Sequence, residues 1–397
     1  MSNVETPSAL MNTYSRFPVQ IKKGKGSYVW DVEGNKYLDY TMGIATCNLG
    51  HVPDQVKNKV QEQLELLWHC SNLYEVPGQE KLATLLAENS CLDQVFFCNS
   101  GAEANEAAIK LAKKYAKDQG NEKRTEIVTF KQSFHGRTGV TMAATGQEKI
   151  HQGFTPVTPG FRYIPYNDYE ALNDLTDGKT TAVLLELIQG EGGVFPAEKE
   201  WIEELAATCK ENDILLMIDE IQTGIGRTGT MFAYEQYEIE PDVITLAKGL
   251  ASGFPMGAML AKEHVAASFQ PGTHGSTFGG NPIVVSAGIA TIETIIEEKI
   301  LKQVQENSKW LFEQMEAWKG EFDFIQKIRG AGFLIGIEMT DVNLAEILEK
   351  FRNQNILVLT AGANTLRILP PLTTTREELN HFITIAHQVF MEYGEEK

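Results

Sequence analysis

The chain has 397 residues, 43% hydrophobic and 22% charged, a balance that fits a soluble globular protein large enough for two domains. Its net charge of −18 argues against nucleic acid or an anionic membrane surface as the main partner, so acidic metabolites must be met by locally placed arginines. Five cysteines without a C-x-x-C pair and eight histidines without metal-ligand spacing fit a reduced cytoplasmic protein and argue against a metal site.

The N-terminal stretch MSNVETPSALMNTYSRF has no basic segment followed by an apolar one, and no apolar run approaches the ~18 residues of a membrane span. Neither a signal peptide nor a membrane anchor is expected. GSYVWDVEGNKYLDYTMG alternates apolar and polar residues around Glu33-Gly34-Asn35, which predicts a β-hairpin. Between about residues 55 and 270 the nearly continuous apolar runs QVFFCNS, TEIVTF, TAVLLELI, DILLMIDE and PDVITLA alternate with helical stretches such as AEANEAAIKLAKKYAKD and KEWIEELAATCKEN. That alternation predicts an α/β fold, a mostly parallel sheet in a three-layer domain.

After Pro282 the pattern changes to a long amphipathic helical stretch with one break, then GFLIGIEM, the helix NLAEILEKFRNQ, the strands ILVL and TLRIL, and a last helix opened by a capping box at Thr375 and Glu378. This reads as a smaller α+β domain. The boundaries expected are 1–50 for an N-terminal segment and hairpin packed with the small domain, 51–285 for the large domain, and 286–397 for the small one.

The run IDEIQTGIGRTG contains G-x-G-x-x-G at Gly224, Gly226 and Gly229. A dinucleotide fingerprint needs those glycines directly after a strand, a helix opening at the third, and an acidic residue ~20 positions on. Here four residues separate Asp219 from Gly224, and TMFAYEQYEIEPD reads poorly as a long helix. A NAD-dependent dehydrogenase is therefore the minor, different-class alternative. Asp219 itself ends a buried strand, where open α/β sheets place ligands. PDVITLAKGLASGFPMGAM predicts a strand ending on Lys248, which apolar and glycine neighbours would keep dry, with a lowered pKa suited to a Schiff-base nucleophile. Alone, each has an ordinary explanation, a loop-capping aspartate and a solvated lysine. Together they form the pair that pyridoxal phosphate requires, an acid for the pyridine nitrogen and an amine for the aldehyde. Ser100-Gly101-Ala102, opening a helix, would leave N–H groups free for the cofactor's phosphate.

The constellation resembles the fold-type-I pyridoxal-phosphate enzymes, and within them the class III aminotransferases of the acetylornithine and ornithine group. NSGAEANEAAIKLAKK, FHGRTGVTMAATG, IQGEGGV, DEIQTGIGRTG, LAKGLASGFPMGAM, GSTFGGNP and LRILPPLT occur in that family's order, from about Tyr14 to the end. The resemblance implies that Lys248 binds the cofactor covalently and shuttles the proton. It implies that Asp219 pairs with the pyridine nitrogen, Gln222 bonds the phenolic oxygen and Phe134 stacks on the ring, while Ser100, Gly101 and Ala102 hold the phosphate. Thr277, beside Ser276, is implied to reach the phosphate site of a second subunit, hence a homodimer with shared active sites.

Arg367 resembles the family's clamp for the α-carboxylate of 2-oxoglutarate and glutamate, Glu191 the carboxylate that pairs with it, and Arg137 the contact for the carboxylate of acetylornithine. Ile44, where ornithine aminotransferases carry tyrosine, and Tyr14 in TYSRFPV resemble the acetylornithine branch. Leu187, where the family has proline, and Thr46 and Cys47 depart from the pattern. The activity implied moves the terminal amine of N-acetylornithine to 2-oxoglutarate, giving N-acetylglutamate 5-semialdehyde and glutamate in arginine biosynthesis. Ornithine or 4-aminobutyrate aminotransferase, an aminomutase or epimerase of the same fold, and a non-catalytic binding protein are the other readings.

Overall fold

The computed structural model describes residues 9–396, so residues 1–8 of the expected N-terminal segment and Lys397 lie outside the described residues. Seven strands form the central sheet, in the order Gln94–Cys98, Gly257–Ala261, Val243–Leu246, Leu215–Asp219, Thr180–Leu185, Glu126–Phe130 and Phe161–Ile164. Only Gly257–Ala261 runs against its neighbours. Every residue of Thr180–Leu185, Leu215–Asp219 and Val243–Leu246 is buried, as strands covered on both faces must be.

The alternation along these strands divides the core. Ala182, Leu184, Leu215 and Met217 pack with Ala107, Ala108 and Leu111 of the helix Gly101–Asp118. Their neighbours Val183, Leu185, Leu216 and Ile218 belong to the larger cluster, with Trp201 and Leu205 of the helix Lys199–Glu211 and Ala287 of Pro282–Glu297. Side chains of successive residues point to opposite faces of a strand, so this partition makes the three layers.

The hairpin forms where the alternation predicts it, between Tyr28–Asp31 and Lys36–Asp39. Gly34 takes φ +92°, and Asp31 accepts bonds from the Asn35 N–H and side-chain amide, both at 2.8 Å. With Ile21–Lys25 it makes a sheet whose fourth strand, Ile356–Leu357, comes from the far end of the chain and pairs parallel with Lys36–Asp39. A second four-stranded sheet, Ile325–Ala331, Leu334–Met339, Thr365–Ile368 and Leu359–Ala361, is antiparallel throughout. The long helical stretch breaks at Lys299 (φ +52°) into Pro282–Glu297 and Ile300–Glu316. The last helix, Arg376–Glu395, has both halves of the Thr375 capping box in place.

One boundary differs from expectation. The strand before Lys248 ends at Leu246, and Lys248 opens a short 3-10 turn, Lys248–Ala251, at φ +40°. Glycines at that turn let the backbone double back, which apolar periodicity does not register.

Gly257 sits where the antiparallel strand presses on the chain leading into the Gly101 helix: a Cβ there would be driven into the Ser100 carbonyl and lie 2.9 Å from Cys98 Sγ. Gly257→Ala should therefore destabilise the protein by about 1–3 kcal/mol, read as a lower thermal midpoint.

Candidate active site

A cavity of about 450 Å³ opens at the carboxyl ends of the central strands. Eight residues singled out from the sequence line it together: Ser100, Gly101, Ala102, Phe134, Arg137, Asp219, Gln222 and Lys248.

Asp219 is the most constrained of them. Its carboxylate is buried and held through both oxygens: Oδ2 accepts from Asn105 Nδ2 at 2.8 Å and lies 2.8 Å from His135 Nδ1, while Oδ1 accepts from the Ile221 N–H at 3.0 Å and keeps a lone pair to spare. Asn105 is in turn fixed by Thr245 Oγ1, which donates to its Oδ1 at 2.7 Å, and by the His135 carbonyl, which accepts from Nδ2 at 2.8 Å. Sequence reasoning missed this support. Asn105 reads as one more helix position and His135 as part of a loop, although their motifs contained both. The other ring nitrogen of His135, Nε2, is buried without a hydrogen-bond partner among the described residues.

Glu186 is a second missed residue. It lines the cavity fully buried, accepting from the Phe134 N–H at 2.8 Å and the Gly190 N–H at 3.2 Å. Burial pushes its carboxyl up to about 7, against the pull of His135 and with the help of the Asp219 charge. Phe134 is thus held by its backbone with its side chain on the cavity wall.

At the other end lies the helix Gly101–Asp118. Ser100 Oγ accepts from the Glu103 N–H at 3.2 Å and the Ser100 carbonyl from the Ala104 N–H at 3.0 Å. This leaves the first two N–H groups, those of Gly101 and Ala102, without a protein acceptor among the described residues, an anion site by geometry and dipole. Lys248 enters between these ends. Burial lowers its pKa below the ordinary lysine value, and Arg367 adds to this, while the Glu191, Asp219 and Glu186 carboxylates oppose it.

Arg367 and Glu191 meet at the edge of the cavity. Glu191 Oε1 lies 2.6 Å from Arg367 Nη1, which also donates to Gln222 Oε1 at 3.2 Å and to the Gly190 carbonyl at 3.1 Å. Burial opposes the charge on Glu191, but Arg367 and Lys248 outweigh it and hold the carboxyl below its usual value.

Four of the residues singled out lie elsewhere. Ser276 and Thr277 line a separate depression with Asn99, Glu103 and His274. Tyr14, largely exposed, borders a groove with Arg352 and Leu357. Ile44 is exposed on a left-handed turn, Met42–Ala45, with φ of 46, 60, 60 and 61°. For L-residues such a turn costs ~1–2 kcal/mol per residue, a strain that clusters near functional sites. Thr46, just beyond it, does line the cavity. Leu187 is fully buried, its carbonyl accepting from the Ala197 N–H at 2.9 Å. Gly224, Gly226 and Gly229 are buried too; a Cβ on Gly226 would meet Leu372 at 2.8 Å and one on Gly229 would meet Gln305 at 3.2 Å. Gly226 and Gly229 let this loop pack against Leu301, Gln305 and Leu372 of the C-terminal part of the chain, Gly224 packs against Glu220 and Leu246, and no helix opens at Gly229, which removes the basis of the dehydrogenase alternative.

The cavity fits pyridoxal phosphate: a helix end for the phosphate, an aromatic wall for the ring, a buried carboxylate for its nitrogen and a dry amine for its aldehyde. The model of the class-III aminotransferase family matches residues 10–390. An acetylornithine aminotransferase of Oceanobacillus iheyensis is 64% identical over 393 residues, 99% of this chain and 98% of that protein. Among solved structures, an N-acetylornithine aminotransferase from Stenotrophomonas maltophilia is 35% identical, with a TM-score of 0.85 over 97% of this chain and 98% of that one. An ornithine aminotransferase from Toxoplasma gondii, with partial occupancy of PLP at its active site, is 30% identical, with a TM-score of 0.94 over 98% and 93% of the two chains.

Glu220, next to Asp219, is fully buried on the side away from the cavity; Thr223 Oγ1 donates to it, as does the Tyr234 N–H at 2.9 Å. Burial pushes its carboxyl up to about 7. The native state therefore holds this proton over a range where the unfolded chain has released it. Its stabilising effect is complete below about pH 4.5 and is lost as pH rises through 7, by ~1.4 kcal/mol per unit of pKa difference. Glu220→Gln, neutral at every pH, should lose less stability than the wild type between pH 5 and 8 in denaturant titrations.

Proposed function

Because the chain belongs to the class III aminotransferase family, we propose that it moves the terminal amine of N-acetylornithine to 2-oxoglutarate, releasing N-acetylglutamate 5-semialdehyde and glutamate in two half-reactions. The enzyme depends on pyridoxal phosphate, which supplies an aldehyde to take the amine and a ring that draws electrons from the substrate carbon. The observation that carries the two-substrate reading is the Glu191–Arg367 pair beside Lys248.

The chain's own groups divide the work. Gly101 and Ala102 bind the phosphate by their N–H groups, and Phe134 covers the ring. Asp219, kept from turning by Asn105 and His135, holds a proton on the pyridine nitrogen. Lys248, its pKa lowered by burial in a dry site, would carry the proton to and from the amine-bearing carbon. Arg137, exposed at the rim, takes the carboxylate of N-acetylornithine while Glu191 neutralises Arg367. When 2-oxoglutarate follows, Glu191 swings away and the planar guanidinium of Arg367 takes the α-carboxylate in its place.

A homodimer completes the reading. Thr277 is surrounded by an exposed apolar patch: Trp68, Leu73, Tyr74 and Phe278 are 65, 87, 70 and 59% exposed. Asn72 binds the Ser276 and Gly279 carbonyls, and His69 lies 5.2 Å from the Phe278 ring, so these segments form one surface. Such a patch suits a second copy, whose phosphate site Thr277 would complete. No helix among the described residues is long and apolar enough to cross a membrane. We place the enzyme in the cytoplasm, where its five free cysteines would stay reduced.

The purified holoenzyme should show a visible cofactor band that N-acetylornithine bleaches faster than ornithine or 4-aminobutyrate does. Faster bleaching by either of the latter would overturn the substrate assignment and keep the chemistry. Lys248→Ala should cut transamination by at least about 10²-fold. Ile44→Tyr should raise turnover of ornithine relative to N-acetylornithine; an unchanged ratio would remove Ile44 from the substrate pocket.

A further inference from the structure

The turn that carries Glu191 is gripped from the small domain. Arg329, Gly336 and Arg367 stand side by side across three antiparallel strands, Arg329 opposite Gly336 and Gly336 opposite Arg367. Directly opposed residues share a face of the sheet, so two arginines flank a position with no side chain. Val194, fully buried, fills that gap: a Cβ on Gly336 would lie 2.8 Å from the Val194 Cβ.

Arg329 ties this turn to the sheet with its whole fork. Nε donates to the Gly193 carbonyl at 2.9 Å and the Val194 carbonyl at 3.1 Å; Nη2 donates to the Gly193 carbonyl at 2.7 Å and to Thr365 Oγ1 at 3.0 Å. Nη1 pairs with Glu338, and the guanidinium carbon lies 3.8 Å from the centre of the Phe195 ring. On the other side, the Gly362 N–H donates to the Glu191 carbonyl at 2.9 Å and Arg367 to the Gly190 carbonyl at 3.1 Å. Residues 190–195 are thereby clasped at both ends through their backbone carbonyls, and the Glu191 side chain extends from the clasped turn to Arg367.

We propose that Arg329 is a specificity-determining positioning residue, which holds the turn so that Glu191 covers Arg367 whenever no α-carboxylate is present. This rests on the two-substrate reading above. The covered state admits the terminal amine of the donor, while an α-amino acid must first displace Glu191. Anchoring the turn therefore sets the enzyme's preference for ω-amine over α-amine donors. Lysine cannot replace this clasp, because a single ammonium group cannot reach two carbonyls, a hydroxyl and a carboxylate in one plane.

The test is a double-mutant cycle on the holoenzyme. Arg329→Lys should lower the ratio of kcat/KM for N-acetylornithine to that for glutamate by about tenfold, mainly through opposite changes in the two KM values. In a Glu191→Ala background, already indifferent to where the turn sits, the same change should alter the ratio less than about twofold. Amide exchange over residues 190–195 should accelerate in Arg329→Lys without substrate present. A ratio unchanged in Arg329→Lys, or lowered equally in both backgrounds, would overturn the inference, the second by marking a general structural loss. Absence of N-acetylornithine turnover by the wild type would overturn the substrate reading instead, and the exchange measurement would then decide on the clasp alone.

Discussion

A carboxylate buried at the end of a central strand is the constraint around which this molecule is arranged. Taking Asp219 out of water costs several kcal/mol unless donors replace its hydration. Three segments converge to provide them: the Gly101–Asp118 helix through Asn105, the loop after Glu126–Phe130 through His135, and the Ile221 N–H. Thr245, opposite Asp219 in the parallel register, locks Asn105 in turn. The same segments bring the helix N-terminus, the Phe134 ring and Lys248 to the cavity. Holding the carboxylate and assembling the cofactor site are one structural event.

The second arrangement is the seam between the central sheet and the antiparallel four-stranded sheet. Arg367 comes from the strand Thr365–Ile368 of the antiparallel sheet, and Glu191 and Gln222 from the chain following the central strands Thr180–Leu185 and Leu215–Asp219, so the ion pair proposed to sort substrates lies on that seam. Arg227 ties the same seam from behind: its guanidinium donates to the Phe333 carbonyl at 3.2 Å, to the Pro370 carbonyl, and to Asn48 Oδ1 at 2.7 Å. It is fully buried without a carboxylate partner among the described residues, and burial lowers its pKa to about 9. This acidic protein thus places the buried Arg227 and Arg367 where distant chain segments meet.

The parts legible in the sequence were those set by local chemistry. Apolar runs marked the parallel strands, Thr375 and Glu378 marked the last helix, and Asp219, Lys248 and Ser100–Ala102 stood at strand ends where ligands bind. The family motifs added Arg367 and Glu191, which the structure brings within 2.6 Å. What stayed hidden depends on register and on neighbours far along the chain. Nothing local distinguishes Asn105 from another polar helix residue until Thr245 is placed beneath it. Arg329 and Gly336 look like ordinary strand residues until three strands align them with Arg367. The left-handed turn at Met42–Ala45 has no glycine signal beyond Gly43, so its backbone course, with Ile44 exposed and Thr46 on the cavity wall, was not legible in the sequence.

Asp219, fixed by Asn105 and His135, is placed to keep the cofactor's ring nitrogen protonated. The most direct measurement is the ¹⁵N chemical shift of that nitrogen in holoenzyme reconstituted with ¹⁵N-labelled pyridoxal phosphate, for the wild type and for Asp219→Asn. The nitrogen should be protonated in the wild type and unprotonated in the variant. An unprotonated nitrogen in the wild type, or the same shift in both proteins, would contradict that role of Asp219.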